Sequence, residues 1–152
     1  MSGQWHGWRK WIHHVEGMKA VLFLVDLSRY DHDPEESSSN YIEDAIDMFD
    51  TVCNTGEFEG LSKIVFFDTD EFADKLTRAP LENYCPDYSG QTYDSACDYF
   101  LNRFLSVNRS ESKIQIYTHF TSKMDMQQVK FMLSAIQDIL LQIYLRELKL
   151  IT

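Results

Sequence analysis

The chain has 152 residues, of which 44% are apolar and 25% are charged, with 6 Gly and 3 Pro, a composition typical of one globular domain. Its 14 Lys and Arg against 24 Asp and Glu give a formal net charge of −10, which argues against general binding to nucleic acid phosphates. The longest apolar run, residues 20–25, has six residues, whereas a membrane-spanning helix needs about 20, so we expect no transmembrane segment.

Apolar runs and helical stripes alternate along the chain. Residues 20–25 and 64–67 are continuous apolar runs, which predict strands covered on both faces, and residues 114–120 predict a third strand. Helical spacing joins Ile42, Ala45, Ile46, Phe49, Val52 and Cys53, then Tyr93, Ala96, Cys97, Phe100 and Phe104, then Val129, Met132, Leu133, Ile136, Leu140 and Ile143. This order predicts an α/β fold with three mainly parallel strands, helices on both sides and a long last helix over about residues 125–150.

Residue types that can ligate metals or form disulfides are few and widely spaced. Cys53, Cys85 and Cys97 are an odd number without zinc-site spacing, which predicts buried free thiols. Asp68 and Asp70 have a spacing that some cation sites use, but two carboxylates without a third ligand rarely hold a metal. We therefore predict no metal site from these residues.

Six short motifs occur in a fixed order along the chain. They are Gly3-Gln4, Arg9-Lys10-Trp11-Ile12-His13, Leu27-Ser28-Arg29-Tyr30-Asp31, Phe49-Asp50-Thr51-Val52-Cys53-Asn54, Cys85-Pro86-Asp87-Tyr88 and Ile116-Tyr117-Thr118-His119-Phe120-Thr121. Together they resemble the C-terminal half of a heterotrimeric G-protein alpha subunit, over nearly the whole chain. The resemblance implies a partial Ras-like P-loop NTPase fold for residues 1–152 and a role as a receptor-coupled GTP/GDP switch.

Phosphate binding is where the chain departs furthest from that family. The resemblance places Gly3 in a nucleotide-binding turn and Gln4 where the family's Gln orients the attacking water. It implies GTP or GDP and magnesium as cofactors, yet these residues include no GxxxxGK[ST] segment to hold phosphates and magnesium. We expect the phosphate loop, the helical domain and the arginine supplied in cis to be absent. Gln4 would then be inactive, and the chain alone would not hydrolyse GTP. An alternative is that the chain binds no nucleotide or magnesium at all.

Guanine recognition is also altered. The family uses an Asn-Lys-x-Asp signature after the second strand of this segment, and the resemblance places Asp68 and Thr69 at the Asn and Lys positions. Asp70 takes the Asp position in a stretch that is one residue shorter. A second base-binding segment corresponds to residues 121–124, where Lys123 offers a backbone N–H to the guanine oxygen. We predict a degenerate guanine site at these residues.

The resemblance further implies partner surfaces near both ends of the chain. Arg9, Lys10 and Trp11 fall in the second-switch helix, which meets a beta-gamma dimer or an effector. In the family the last helix docks into an activated seven-helix receptor, and the corresponding apolar residues are Ile143, Leu145, Leu148 and Leu150. These partners imply a cytoplasmic location at the inner face of the plasma membrane.

Two functions stay open from the sequence. The first is a GTPase switch, or the portion of one that these residues represent. The second is a nucleotide-free interaction module, or an inactive fragment, that binds a beta-gamma dimer, an effector or a receptor. Family order also predicts that the strand at residues 20–25 forms an unpaired edge in the isolated chain, which favours self-association or binding to a partner.

Overall fold

A computed structural model describes residues 20–31, 40–109, 116–122 and 126–148. Its main elements are β1 (Ala20–Asp26), α1 (Tyr41–Asn54), β2 (Ser62–Asp68), α2 (Phe72–Arg78), α3 (Tyr93–Ser106), β3 (Ile116–Thr121) and α4 (Met126–Glu147). Short 3-10 helices lie at Leu27–Tyr30, Gly56–Phe58 and Leu81–Asn83. Within the described ranges, no helix is long and apolar enough to cross a membrane.

The three strands form one parallel sheet in the order β1-β2-β3. Ala20 lies opposite Ser62, and Lys63 lies opposite Ile116. Parallel neighbours need crossover connections, and helices supply them here. The predicted α/β class with a parallel sheet is therefore confirmed, and β1 forms one edge of the described sheet.

Alternate residues of β2 pack on opposite faces of the sheet. Val65 and Phe67 belong to the large core that also includes buried residues of α1 and α3. Ile64 and Phe66 belong to a smaller cluster with Ile139 of α4. A strand buried on both faces must be apolar throughout, and helices do cover both faces of the sheet at β2.

Aromatic rings in edge-to-face and tilted contact pack within the large core. Phe104 of α3 lies 5.6 Å from Phe49 of α1 and 5.2 Å from Phe67 of β2, measured between ring centroids. All three side chains are fully buried. Edge-to-face and tilted ring pairs add to the free energy of burying their area, so this trio joins two helices to the sheet.

Side-chain caps start both helices that cover this core. The Asn40 side chain accepts hydrogen bonds from the backbone of Ile42 and Glu43. Thr92 and Ser95 form a reciprocal capping box at the start of α3. These caps satisfy backbone N–H groups that lack partners within the helix, and they fix where each helix begins.

The prediction that β1 is covered on both faces is wrong. Val21, Phe23 and Val25 are buried in the large core, but the side chains of Leu22 and Leu24 are 46% and 60% exposed. Ile139 of α4 packs with Ile64 and Phe66 of β2, and of β1 the described cluster includes only the first residue, Ala20. A continuous apolar run predicts a strand, but it does not predict which elements cover each face of that strand.

The predicted stripe of α4 is also wrong in one position. Leu140 was placed on the apolar stripe but is 39% exposed, whereas its neighbour Ile139 is 7% exposed and contacts the sheet. Successive residues point about 100° apart on a helix, so a shift of one residue turns a different side chain inward. The periodicity also gave no indication of α2, which has seven residues and only Phe72 fully buried.

Candidate functional site

The two predicted base-binding segments meet at the carboxyl ends of β2 and β3. Asp68 and Thr121 are register partners across these strands. Just beyond them, the backbone N–H of Thr69 donates to the carbonyl oxygen of Thr121 at 2.7 Å, and Thr69 Oγ1 donates to the same oxygen at 2.9 Å. Thr69 and Thr121 are 4% and 5% exposed. The first residue after β2 is therefore joined directly to the last residue of β3.

A tight turn follows β2. The backbone N–H of Asp70 donates to Asp68 Oδ1 at 2.9 Å, and the N–H of Phe72 donates to the carbonyl oxygen of Thr69 at 3.1 Å. Phe72 is fully buried and begins α2. The side chain of Asp70 is exposed, so its carboxylate is open to a ligand, whereas one oxygen of Asp68 is used inside the turn.

Thr69 takes the Lys position of the family signature, but its side chain does not reach out to a ligand as a lysine side chain there would. Its short side chain is buried and directed to Thr121. Burial raises the pKa of the Tyr93 hydroxyl, and a hydrogen bond with Thr69 partly opposes that shift. Tyr93 of α3 is thus a neighbour of this turn. Sequence reasoning placed it only on a helix face, because helical spacing carries no signal about the loop that a side chain reaches.

The described residues hold no group of three or more His, Cys, Asp or Glu side chains that could hold a metal. The three cysteines are free and buried, as predicted. Burial raises the pKa of Cys53 to about 11, although Lys63 opposes the shift, and burial also raises the pKa of Cys85 and Cys97. Protonated thiols are poor nucleophiles, so these cysteines act as packing residues.

Several predicted site residues lie outside the described ranges, namely Gly3, Gln4, Arg9, Lys10, Trp11, Lys123 and Leu150. Ile143 lies in α4, but its side chain is outside the description. Leu145 is half-buried, and Leu148 is 49% exposed just after α4. The structure therefore brings together Asp68, Thr69, Asp70 and Thr121 of the predicted base-binding set.

The end of α4 presents apolar side chains to solvent. Leu141, Tyr144 and Leu148 are 55%, 56% and 49% exposed. Their spacing of three and four residues places them on one side of a helix. An exposed apolar stripe of this kind is typical of helices that dock into a groove.

Thr69→Val tests the hydrogen bond between the two loops. The substitution removes the hydroxyl that donates to Thr121 but leaves the backbone N–H bond in place. We expect the free energy of unfolding to fall by about 1 kcal/mol, as for one neutral buried hydrogen bond. Urea denaturation measures it. Thr77→Val is the matched control, because Thr77 Oγ1 donates to Asp74 in an exposed position; equal losses in both variants would contradict the assignment.

The family model and the individual relatives that match this chain indicate the same family. Residues 1–140 match the family described as G-protein alpha subunit. The guanine nucleotide-binding protein subunit alpha of Coprinellus congregatus is 48% identical over 150 residues, which cover 97% of this chain and 42% of that protein. The G-protein complex alpha subunit gpaA of Aspergillus fumigatus and the guanine nucleotide-binding protein subunit alpha of Pyricularia oryzae are each 44% identical over 149 residues.

Those 149 residues cover 96% of this chain and 42% of each of these two relatives, so the chain spans less than half the length of the relatives it matches. The match to the family extends through β3 and through α4 as far as residue 140, so it includes Thr69 and Thr121 and ends just before the exposed apolar stripe. The chain belongs to the G-protein alpha subunit family.

Proposed function

We propose that this chain is a signal-transducing segment of the G-protein alpha type, which contributes the base-binding end of the sheet and the last helix. The observation that carries the proposal is the direct joining of Thr69 to Thr121. This bond supports the proposal, because it joins the two segments that the resemblance identifies at the carboxyl edge of the sheet, where parallel α/β folds bind their ligands. The family match supports GTP or GDP as the nucleotide that the complete site would bind.

We further propose that these 152 residues alone do not hydrolyse GTP. They include no GxxxxGK[ST] segment, and such a segment supplies the backbone N–H groups, the lysine and the magnesium-binding hydroxyl that phosphoryl transfer needs. The exposed carboxylate of Asp70 can accept hydrogen bonds from guanine N–H groups. Base contacts without phosphate contacts position a nucleotide but do not stabilise a charged transition state.

Phosphate release from GTP with magnesium tests this proposal. We expect the purified chain to release phosphate at the rate of buffer alone, because Gln4 has no bound γ-phosphate to act on. Gln4→Leu is the matched variant, and it should behave as the wild type does. Release above the buffer rate that Gln4→Leu abolishes would show a working hydrolytic site and overturn the proposal.

A second candidate function is a nucleotide-free interaction module. The exposed apolar side chains of Leu141, Tyr144 and Leu148 favour it, because they form a docking stripe that needs no nucleotide. The partner would be a receptor of the membrane-bound type that the family serves, which would bring the chain to the cytoplasmic face of the membrane. A beta-gamma dimer or an effector would meet the segment with Arg9, Lys10 and Trp11.

Binding of the chain to receptor-containing vesicles tests the second candidate. Leu148→Ala should weaken binding, because it removes an exposed apolar side chain from the stripe. Leu105→Ala is the control, since Leu105 is a 39% exposed leucine on α3. Equal binding by both variants would exclude the α4 stripe as the docking surface.

A further inference from the structure

A cavity of about 510 Å³ opens between α2 and the segment that leads into α3. Leu76, Pro80 and Leu81 line its apolar part, and Tyr88 and Tyr93 line its aromatic part. This volume lies within the range of small-ligand sites. The cavity is separate from the Thr69–Thr121 contact, although Tyr93 borders both.

The aromatic side of this cavity is held in place by the start of α3. Tyr88 Oη lies 2.6 Å from Ser95 Oγ, and both atoms approach Gly90 closely. A Cβ at Gly90 would clash with the side chains of Ser95 and Tyr88, so any larger residue would displace them. The Tyr93 ring packs 6.0 Å from Phe72, measured between centroids. The two tyrosines are therefore fixed before any ligand binds.

Hydroxyl groups around the cavity already have partners. Thr77 Oγ1 donates to the carbonyl oxygen of Asp74, and Thr92 Oγ1 accepts from the backbone N–H of Ser95. Ser95 Oγ donates to the carbonyl oxygen of Thr92. The lining thus offers a ligand few free donors. Glu82, by contrast, is an exposed carboxylate in the lining, and it takes part in no ion pair with another described residue.

The stretch of sequence that forms the cavity is acidic, and Glu82 is the acidic residue among the described lining residues. Residues 70–99 contain seven acidic and two basic residues. Of the two basic residues, Lys75 is paired with Asp31 at 2.7 Å. Burial raises the pKa of Tyr30 to about 12, and the charge of Arg78 partly opposes that shift. Neither basic residue lines the cavity. A carboxylate, two aromatic rings and the lack of a cation among the described lining residues together favour a cationic ligand.

We propose that this cavity receives an arginine side chain of a partner protein. The guanidinium group would pair with the carboxylate of Glu82 and lie against the tyrosine rings, which suit its planar, weakly hydrated charge. The aliphatic stem would contact Leu76 and Leu81. The proposed site does not involve nucleotide, so arginine binding can be measured in the absence of nucleotide.

Titration of the chain with N-acetylarginine amide, followed by NMR, tests the proposal. We expect saturable shifts of the backbone amides of Tyr88, Gln91 and Tyr93. N-acetylcitrulline amide, a neutral ligand of the same shape, should bind at least about fivefold more weakly, because it has no charge to pair with Glu82.

Glu82→Gln should weaken arginine amide binding by a similar factor. Glu59→Gln is the matched control, since Glu59 is exposed and lies outside the cavity, and it should bind as the wild type does. Equal binding of the arginine and citrulline amides would overturn the proposal, as would unsaturable shifts or wild-type affinity in Glu82→Gln.

Discussion

Phe104→Ala should lower the free energy of unfolding by about 3–5 kcal/mol, the usual cost of removing a buried aromatic ring. The Phe104 ring is fully buried and lies against Phe49 of α1 and Phe67 of β2. Its loss leaves a cavity at the point where two helices meet the sheet. Whole domains are stable by only about 5–15 kcal/mol, so we expect this variant to be partly or fully unfolded at 37 °C. Urea denaturation followed by circular dichroism measures the change.

Phe131→Ala makes the same change on the surface of α4, where the side chain is 62% exposed. It should alter the free energy of unfolding by less than about 0.5 kcal/mol. Phe104→Leu keeps most of the buried volume, so its loss in free energy of unfolding should lie between those of the two alanine variants. A cost at Phe104 no larger than the cost at Phe131 would contradict the packing of the large core.

Lys63→Met should raise the free energy of unfolding by about 1–3 kcal/mol at neutral pH. Lys63 is fully buried in β2, and its ammonium group donates to the carbonyl oxygen of Phe58 at 3.0 Å. Burial lowers the pKa of Lys63, with Cys53 opposing the shift, so the charged form is less stable in the folded chain than in water. Methionine has a similar length and removes this cost of desolvation.

The pH dependence of the same pair of proteins gives an independent check. Because the pKa of Lys63 is lower in the folded chain, the unfolded chain binds more protons between that value and the ordinary value near pH 10. In this alkaline window Lys63 therefore makes the wild type more stable as the pH rises, and the advantage of Lys63→Met should shrink. Loss of stability in Lys63→Met at neutral pH would mean that the bond to Phe58 outweighs the cost of burying the charge.

The sequence was sufficient to predict the main elements of the fold, because apolar runs indicate strands and apolar residues at helical spacing indicate helices. The stripe from Ile42 to Cys53 predicted a helix that α1 matches closely, and the Asn40 cap fixes where that helix begins. The elements that cover each face of the sheet were harder to predict. The exposure of Leu22 and Leu24 depends on where α4 packs, and that is a tertiary property that local pattern does not contain.

The resemblance identified the two segments of the candidate site but not the contacts between them, and base binding by these segments stays a prediction. The resemblance to the family brought Asp68, Thr69 and Asp70 together with residues 121–124. It did not indicate that Thr69 would be buried and donate twice to Thr121. The part played by Tyr93 was missed as well, because a contact between a helix and a distant loop leaves no local signal in the sequence.

Equilibrium binding of a fluorescent GTP analogue in the presence of magnesium tests the central claim most directly. The claim is that these residues hold base-binding segments together without the groups that hold a triphosphate. Each charge-assisted hydrogen bond to phosphate contributes about 1.5–3 kcal/mol, so losing several of them should leave no saturable binding below about 100 μM. Micromolar or tighter binding that depends on magnesium and is displaced by unlabelled GTP would contradict the account.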